Sequence, residues 1–463
     1  MAETGQGSNR PNVLFISFDD LNHFVGFLDR RPNAWTPNFN RLAERSMVFE
    51  HAYCQAPICN PSRASLMSGL RPSTTGVYNN RQPLRFSPAG EKAVTLPQHF
   101  KANGYLTTGS GKVYHGKFPD PMSWDSYMPS PFNQSFPEVK SPYIPLNGME
   151  GMDNVDWGPL EVEDQEMQDW KAVDYSIWQL GQDHEKPFFL TCGFKLPHLT
   201  WFAPRKYFEL YDLREVELPE VKENALENVS SYFARRTNAG VHKRIVEEGK
   251  WQEGVRAYLA CISYVDMLMG RLLDAFDQSA YRDNTVIVLW ADHGWHLGEK
   301  LHWKKSTLWE EATHVPLLIS VPGYTPGRCK APVGLIDIYP TLIDLCGLPE
   351  RSELEGTSLV DQLENPEADR EVPAVSTHGR GNHAVRWRDW RYIRYDDGSE
   401  ELYHHSLDPY EWTNLANELG YEDRKRDLGQ WLPGYDAPDS EVVAWPEETD
   451  RYRERIEALM AGM

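Results

Sequence analysis

Residues Asn12–Asp20 read NVLFISFDD, an apolar run from Asn12 to Phe18 that stops at a pair of carboxylates. A run that is apolar throughout, rather than at alternate positions, belongs to a strand buried on both faces, and so to a mostly parallel sheet covered by helices. Thr285–His293, TVIVLWADH, repeats the design, with an apolar strand to Trp290 that ends at Asp292–His293. Pro187–Phe194 and Pro316–Val321 are further buried strands, and Met47–Ala52 and Tyr105–Gly109 are shorter candidates.

Helices alternate with these strands. Thr36 caps one that opens on Pro37 and runs to Arg45. Pro61 and Ser62 start another, which Gly69 and Pro72 end, and Leu96–Asn103 is stopped by Gly104. Asp164–Leu180 is helical, and Arg256–Gln278 carries a stripe of Leu259, Ile262, Val265, Met269, Leu272 and Phe276. Between Phe118 and Asp164, Pro, Ser, Gly and Asn predict a long irregular excursion. The alternation predicts an α/β domain over residues 1–370, a mostly parallel sheet with helices on both faces. Beyond it, HAVRWRDWRYIRYDDGSEELYHHS alternates around an Asp397–Gly398 turn, which predicts an antiparallel hairpin. We assign it to a small α+β subdomain, residues 371–463, closed by a terminal helix near Asp450–Met460.

At 463 residues and 40% hydrophobic, the chain has ample material for a core. Its 47 Lys and Arg against 68 Asp and Glu leave a formal net charge of −21, which repels nucleic acid and anionic lipid. That charge favours a small substrate, or a chain end entering a locally positive pocket, over a long polyanion wrapping the surface. No apolar stretch reaches the length of a membrane span. The first residues lack a basic segment and a leader-length apolar core, which predicts a cytoplasmic protein, or a periplasmic or secreted one if a leader was removed. Six cysteines show no disulfide framework, and Cys192, Cys261 and Cys346 lie in apolar runs as reduced core residues.

Open parallel sheets bind ligands at the carboxyl ends of their strands. Asp19, Asp20, Asp292 and His293 stand at two such ends. Three carboxylates there could hold a hard divalent cation with an amide, imidazole or substrate oxygen; either pair alone reads more simply as solvating a loop. Between the two pairs lies Cys59-Asn60-Pro61-Ser62-Arg63. A Cys-x-Pro-Ser-Arg string arises by chance in roughly one chain in a thousand of this length. It opens a helix, where free backbone N–H groups favour an anion, and Arg63 adds a fixed fork of donors.

With that string, the segments NVLFISFDD, CNPSRASLMSGLRP, GYLTTGSGKVYH, KLPH, ADHGW and THVPLLISVPG occur in an order that resembles the type I sulfatases, formylglycine-dependent members of the alkaline-phosphatase-like superfamily. GKVYH, KLPH and DHGWHLGE look most like the iduronate-2-sulfatase branch and its bacterial relatives. The resemblance implies hydrolysis of a sulfate monoester, with Cys59 oxidised by a formylglycine-generating maturation enzyme. One hydroxyl of the hydrated aldehyde would attack sulfur, and the other would expel sulfate. It further implies one calcium ion held by Asp19, Asp20, modified Cys59, Asp292 and His293, with His293 standing where many relatives carry Asn. Arg63 would anchor the formylglycine hydroxyl, and Lys112 and His115 would hold the sulfate and the attacking group. His198 would contact the sulfate or protonate the leaving oxygen. Lys305 would be the second sulfate lysine, with Lys304 as the adjacent alternative.

The implied substrate is a small sulfated saccharide or uronic acid. Choline sulfate, an aryl sulfate, a phosphonate or phosphodiester, and a non-catalytic carbohydrate-binding role stay open. Trp295 and His296 could wall a sugar subsite or simply pack. His378, Arg380 and His383 read as solvated loop residues that could reach over the pocket. HWKK and His404–His405 lack a third ligand at metal-site spacing.

Overall fold

A computed structural model describes residues 10–30, 34–141, 145–152, 155–444 and 449–462. The first nine residues, part of the segment read for a leader, lie outside the described residues.

Eight strands form the central sheet: β1 (Asn12–Phe18), β2 (Met47–Phe49), β3 (Leu106–Gly111), β4 (Ser126–Met128), β5 (Phe188–Gly193), β6 (Thr285–Ala291), β7 (Leu317–Ser320) and β8 (Gly327–Cys329). Their order is β8-β2-β7-β6-β1-β5-β3-β4. From β6 through β1, β5 and β3 to β4 every pairing is parallel, while β7 runs antiparallel to both its neighbours. Every residue of β1, β5 and β6 is buried, so both sheet faces are covered, as the unbroken apolar runs require.

The helices α1 (Pro37–Ala43), α2 (Cys59–Ser68), α3 (Leu96–Ala102), α4 (Gln168–Leu180), α5 (Trp251–Gln278) and α6 (Ile338–Leu345) clothe the sheet. The long α5 packs on α1 and α4, and α2 packs on α3 and α6. Met47–Ala52 is not one strand. The chain turns after Phe49, and Ala52–Tyr53 joins a separate short sheet with His314–Val315 and Val333–Gly334. The excursion from Phe118 is less irregular than its composition predicts. It contributes β4 to the edge of the central sheet, and its Trp157–Leu160 pairs with Trp201–Pro204.

Beyond the α/β unit, β9 (Ala374–Thr377), β10 (His383–Trp387), β11 (Trp390–Arg394) and β12 (Glu400–His404) form an antiparallel meander. Gly398 takes the left-handed φ of +82° in the β11–β12 turn. The terminal helix, Thr449–Ala461, does not close this sheet. Its Tyr452 and Ile456 pack with Phe118, Met122 and Val443, so it covers the start of the excursion instead. Among the described residues no helix is long and apolar enough to cross a membrane. All six cysteines are buried and free.

Candidate active site

Parallel register brings the two acidic strand ends together. Phe18 of β1 is the partner of Ala291 of β6, so Asp19–Asp20 and Asp292–His293 leave the sheet side by side. The Asp20 backbone has a left-handed φ of 63°, rare for a residue with a side chain, and it is clamped on both sides. Its N–H donates to Asp292 Oδ1 at 3.0 Å, and its carbonyl accepts the Tyr258 hydroxyl at 2.6 Å. The neighbouring strands supply the rest: Lys112 follows β3, and the segment 194–198 follows β5. There Asp169 of α4 accepts the N–H groups of Lys195 and Leu196 at 2.9 and 3.0 Å, fixing the approach to His198.

Cys59 is the first residue of α2, and Ile58 before it is extended. Its sulfur lies 3.0 Å from Lys305 Nζ, 3.4 Å from His293 Nε2 and 4.0 Å from Asp20 Oδ1. The Ser62 hydroxyl, one turn on, donates to the Asp292 carbonyl at 2.5 Å and ties α2 to the end of β6. Arg63 is fully buried and uses its whole fork. Nε donates to Asp292 Oδ2, Nη1 to the carbonyls of Lys112 and Val113, and Nη2 to the Phe18 carbonyl and Asp19 Oδ1. Its donors therefore organise three strand ends rather than reaching the cysteine, a role that needs a guanidinium and not an ammonium.

Three carboxylates and two lysines share this space. Lys112 pairs with Asp19, and Lys305 donates to Asp20 Oδ1 at 2.5 Å. Burial pushes the Asp19 carboxyl up, but Lys112, His198, Arg63 and Lys305 outweigh it and hold it well below the usual range. Asp20 goes the other way: burial, with Asp19 adding, raises it to about 7 against the pull of Lys305 and His293. Its Oδ2 is buried without a hydrogen-bond partner. Burial also pushes the Cys59 thiol up, with Lys305 opposing, so an unmodified thiol stays protonated near neutrality.

Two imidazoles aim lone pairs at the cluster. His293 Nδ1 faces the Gly294 carbonyl at 2.9 Å, which can only accept, so Nδ1 carries the hydrogen and Nε2 the lone pair. His198 Nδ1 likewise faces the Leu199 carbonyl at 2.5 Å, leaving Nε2 3.9 Å from Asp20 Oδ2. Burial, with Lys112 adding, keeps His115 and His198 well below the ordinary imidazole range. His115 Nδ1 is buried without a partner.

Of the two lysine candidates, Lys305 reaches the cysteine. The short hairpin of His296–Leu297 with Trp303–Lys304 ends just before it, and the His302 ring contacts its carbonyl at 3.0 Å. Trp295 and His296 do not wall an open subsite. Trp295 is buried beneath the Lys305 ammonium, 5.4 Å from ring centre to nitrogen, and His296 is buried between Thr307 and the Glu299 carbonyl. His383 is a buried strand residue and no solvated loop, because it opens β10 with its ring between Thr377 and Asp436. His378 is partly buried and Arg380 exposed. His405, discounted for want of partners, meets Glu411 at 2.9 Å and Glu310 at 3.9 Å through tertiary contacts. Ser62, Asp169, Tyr258 and His302 support the site; Ser62 stood inside the cysteine string and His302 in HWKK, whereas Asp169 and Tyr258 stood in no motif.

Groups that could hold one cation are Asp19, Cys59, Asp292 and His293, and Asp19, Asp20, Cys59 and His198, with one ligand atom from each lying within 4.8 Å of the others. Residues 11–348 match the family model described as Sulfatase, and residues 298–435 match N-sulphoglucosamine sulphohydrolase, C-terminal. A sulfatase of Formosa agariphila is 38% identical over 92% of this chain and 87% of its own. The human iduronate 2-sulfatase is 32% identical over 73% and 69%, and the choline-sulfatase of Rhizobium meliloti 31% identical over 88% and 83%. Among solved structures, BT4656 in complex with D-glucosamine-2-N,6-O-disulfate aligns over 96% of this chain and 98% of its own, with a TM-score of 0.71 at 20% identity. The phosphonate monoester hydrolase of Silicibacter pomeroyi aligns over 91% and 94%, with a TM-score of 0.75 at 21% identity. These likenesses give the chain the alkaline-phosphatase-like fold. With the family model covering most of its length, this chain belongs to the sulfatase family and is a hydrolase of sulfate esters.

Proposed function

We propose that the protein hydrolyses the sulfate monoester of a small saccharide or uronic acid, using a formylglycine made from Cys59 and one calcium ion. The observation that carries the reading is the surroundings of the Cys59 sulfur, with Lys305 at 3.0 Å, His293 at 3.4 Å and Asp20 at 4.0 Å. Burial raises the thiol pKa, so Cys59 as it stands is a poor nucleophile for the reaction. Once oxidised, it supplies a hydrated aldehyde with two hydroxyls on one carbon, a nucleophile with its own route for releasing sulfate.

The residues fit a hard cation. Buried carboxylates of Asp19, Asp20 and Asp292 stand together, Asp20 Oδ2 has no hydrogen-bond partner, and His293 presents a neutral nitrogen. Calcium would be held by Asp19, Asp20, Asp292, His293 and modified Cys59, and when bound it supplies a Lewis acid and a template for sulfate oxygens. Lys112 and Lys305 bring positive charge to the same point, where the net charge of −21 elsewhere favours none. His115 contacts the attacking group. His198, 30% exposed in its side chain, sits at the rim, where the negative charge of the bound sulfate ester favours protonation of Nε2, which then passes that proton to the departing alcohol oxygen. We take residues 1–370 as the catalytic unit and 371–463 as an appended subdomain.

A saccharide is favoured by the likeness to iduronate 2-sulfatase, while the choline-sulfatase relative supports the second reading, choline sulfate. Sulfate release by the matured enzyme from 2-O-sulfated uronic acids, choline sulfate and an aryl sulfate, set beside phenol release from an aryl phosphate diester, separates these. We expect turnover on the sulfated sugar, and a strong preference for the diester would overturn the reading.

A further inference from the structure

We propose that His51, Glu310 and His314 form a second metal site, for Zn²⁺ or a similar transition metal, apart from the cluster at Cys59. The three line a cleft of about 530 Å³, and none of the residues grouped around Cys59 shares that lining.

The tertiary fold aims the donor atoms. His314 opens the strand that pairs antiparallel with Ala52–Tyr53, His51 immediately precedes that pair, and Glu310 lies one helical turn before His314. His314 is 4% exposed, and its Nε2 faces the Glu50 carbonyl at 2.8 Å. A carbonyl only accepts, so Nε2 carries the hydrogen and Nδ1 carries the lone pair. That nitrogen has no hydrogen-bond partner and faces Glu310 Oε1 at 3.3 Å. His51 Nδ1 is also buried without a partner, and one ligand atom from each of the three residues lies within 4.8 Å of the others.

The His314 lone pair and Glu310 Oε1 are electron-rich atoms turned toward one another, an arrangement that a cation between them would relieve. A proton on His314 would answer Glu310 alone, whereas a metal ion would use all three residues. The 3.3 Å separation matches the edge of about 3.3–3.4 Å that two ligands at roughly 2.0–2.1 Å make on a tetrahedral zinc. Two imidazoles and one carboxylate suit zinc, cobalt or copper better than calcium, which prefers oxygen. The supporting contacts are those of a metal site. The Glu50 carbonyl orients His314, the Tyr53 hydroxyl donates to Glu310 Oε1 at 3.0 Å, and Arg391 holds Oε2. Water or a small anion entering from the cleft that the three residues line would complete the shell.

The test is titration of the full-length protein, kept saturated with calcium, with Zn²⁺ by equilibrium dialysis and with Co²⁺ by visible absorption. One equivalent per chain and the strong bands of tetrahedral cobalt are expected. His51→Ala should weaken binding at least about tenfold and His314→Gln should abolish it, with the calcium stoichiometry unchanged. Absence of binding by the wild type, binding unaffected by both substitutions, or binding lost in His293→Ala instead would each overturn the proposal. If His314→Gln fails to fold, the wild-type cobalt spectrum and His51→Ala, at the less buried ligand, decide the matter.

Discussion

The Lys305 ammonium lies 3.0 Å from the Cys59 sulfur and donates to Asp20 Oδ1 at 2.5 Å, so one cation bridges the nucleophile position and a candidate metal ligand. A residue just past the hairpin that follows β6 thereby completes a site built on the ends of β1 and β6. Burial would lower the Lys305 pKa, but Asp20 and Cys59 outweigh it, and the lysine stays charged across the working range.

Lys305→Ala should reduce kcat/KM by about a hundred- to a thousand-fold, the scale of one lost donor to a developing anion. Calcium stoichiometry should hold, because the substitution removes a competing cation beside Asp20. Steady-state kinetics with metal analysis checks this, and a rate within tenfold of wild type would remove Lys305 from the proposed machinery.

Arg63→Met should act mainly through stability. It leaves Asp19 and Asp292 buried without their guanidinium partner, a loss of about 3–5 kcal/mol. Urea unfolding in EDTA should show the full loss, and calcium should restore part of it by binding the freed carboxylates.

His293→Ala should weaken calcium by at least the roughly 10–100-fold that even a supporting contact costs. His293→Asn should hold the affinity, since an amide oxygen suits calcium. Chelator competition reads both, and wild-type affinity in the alanine variant would exclude His293 as a ligand.

Asp169 gives a pH signature away from the reacting atoms. Burial raises it to about 6 from an ordinary 3.8, against the Leu196 and Lys195 N–H groups that favour its charge. Its contribution is therefore fully present below about pH 4 and is lost as pH rises through 6, a change on the order of 3 kcal/mol. Asp169→Asn cannot ionise, so wild type should lose stability relative to the variant between pH 4 and 7. Parallel melting curves with a constant difference would contradict the assignment.

The central strands were legible because burial on both faces leaves an unbroken apolar run, as in β1 and β6, and such runs have few other uses. The Cys59 string was legible because Cys-x-Pro-Ser-Arg is rare by chance and resembles the signature of type I sulfatases. Register was not. That Phe18 would face Ala291, placing Asp19 beside Asp292, follows from pairing across more than 270 positions, which neither segment encodes alone. The same holds for Asp169 and Tyr258, ordinary polar members of helical stretches until the fold turns them onto the Lys195–His198 segment and the Asp20 carbonyl. His383 misled because its neighbours Gly379 and Gly381 announce a loop, whereas the alternation that buries it begins at His383 itself. His405 misled because its partners Glu310 and Glu411 come from other segments of the chain.

Peptide mass spectrometry across Cys59, on protein made together with a formylglycine-generating enzyme, tests the central claim most directly. Conversion of thiol to aldehyde predicts a loss of about 18 Da, accompanied by sulfate release that Cys59→Ala abolishes. An unmodified thiol in the presence of an active maturation enzyme would contradict it, as would undiminished turnover in Cys59→Ala.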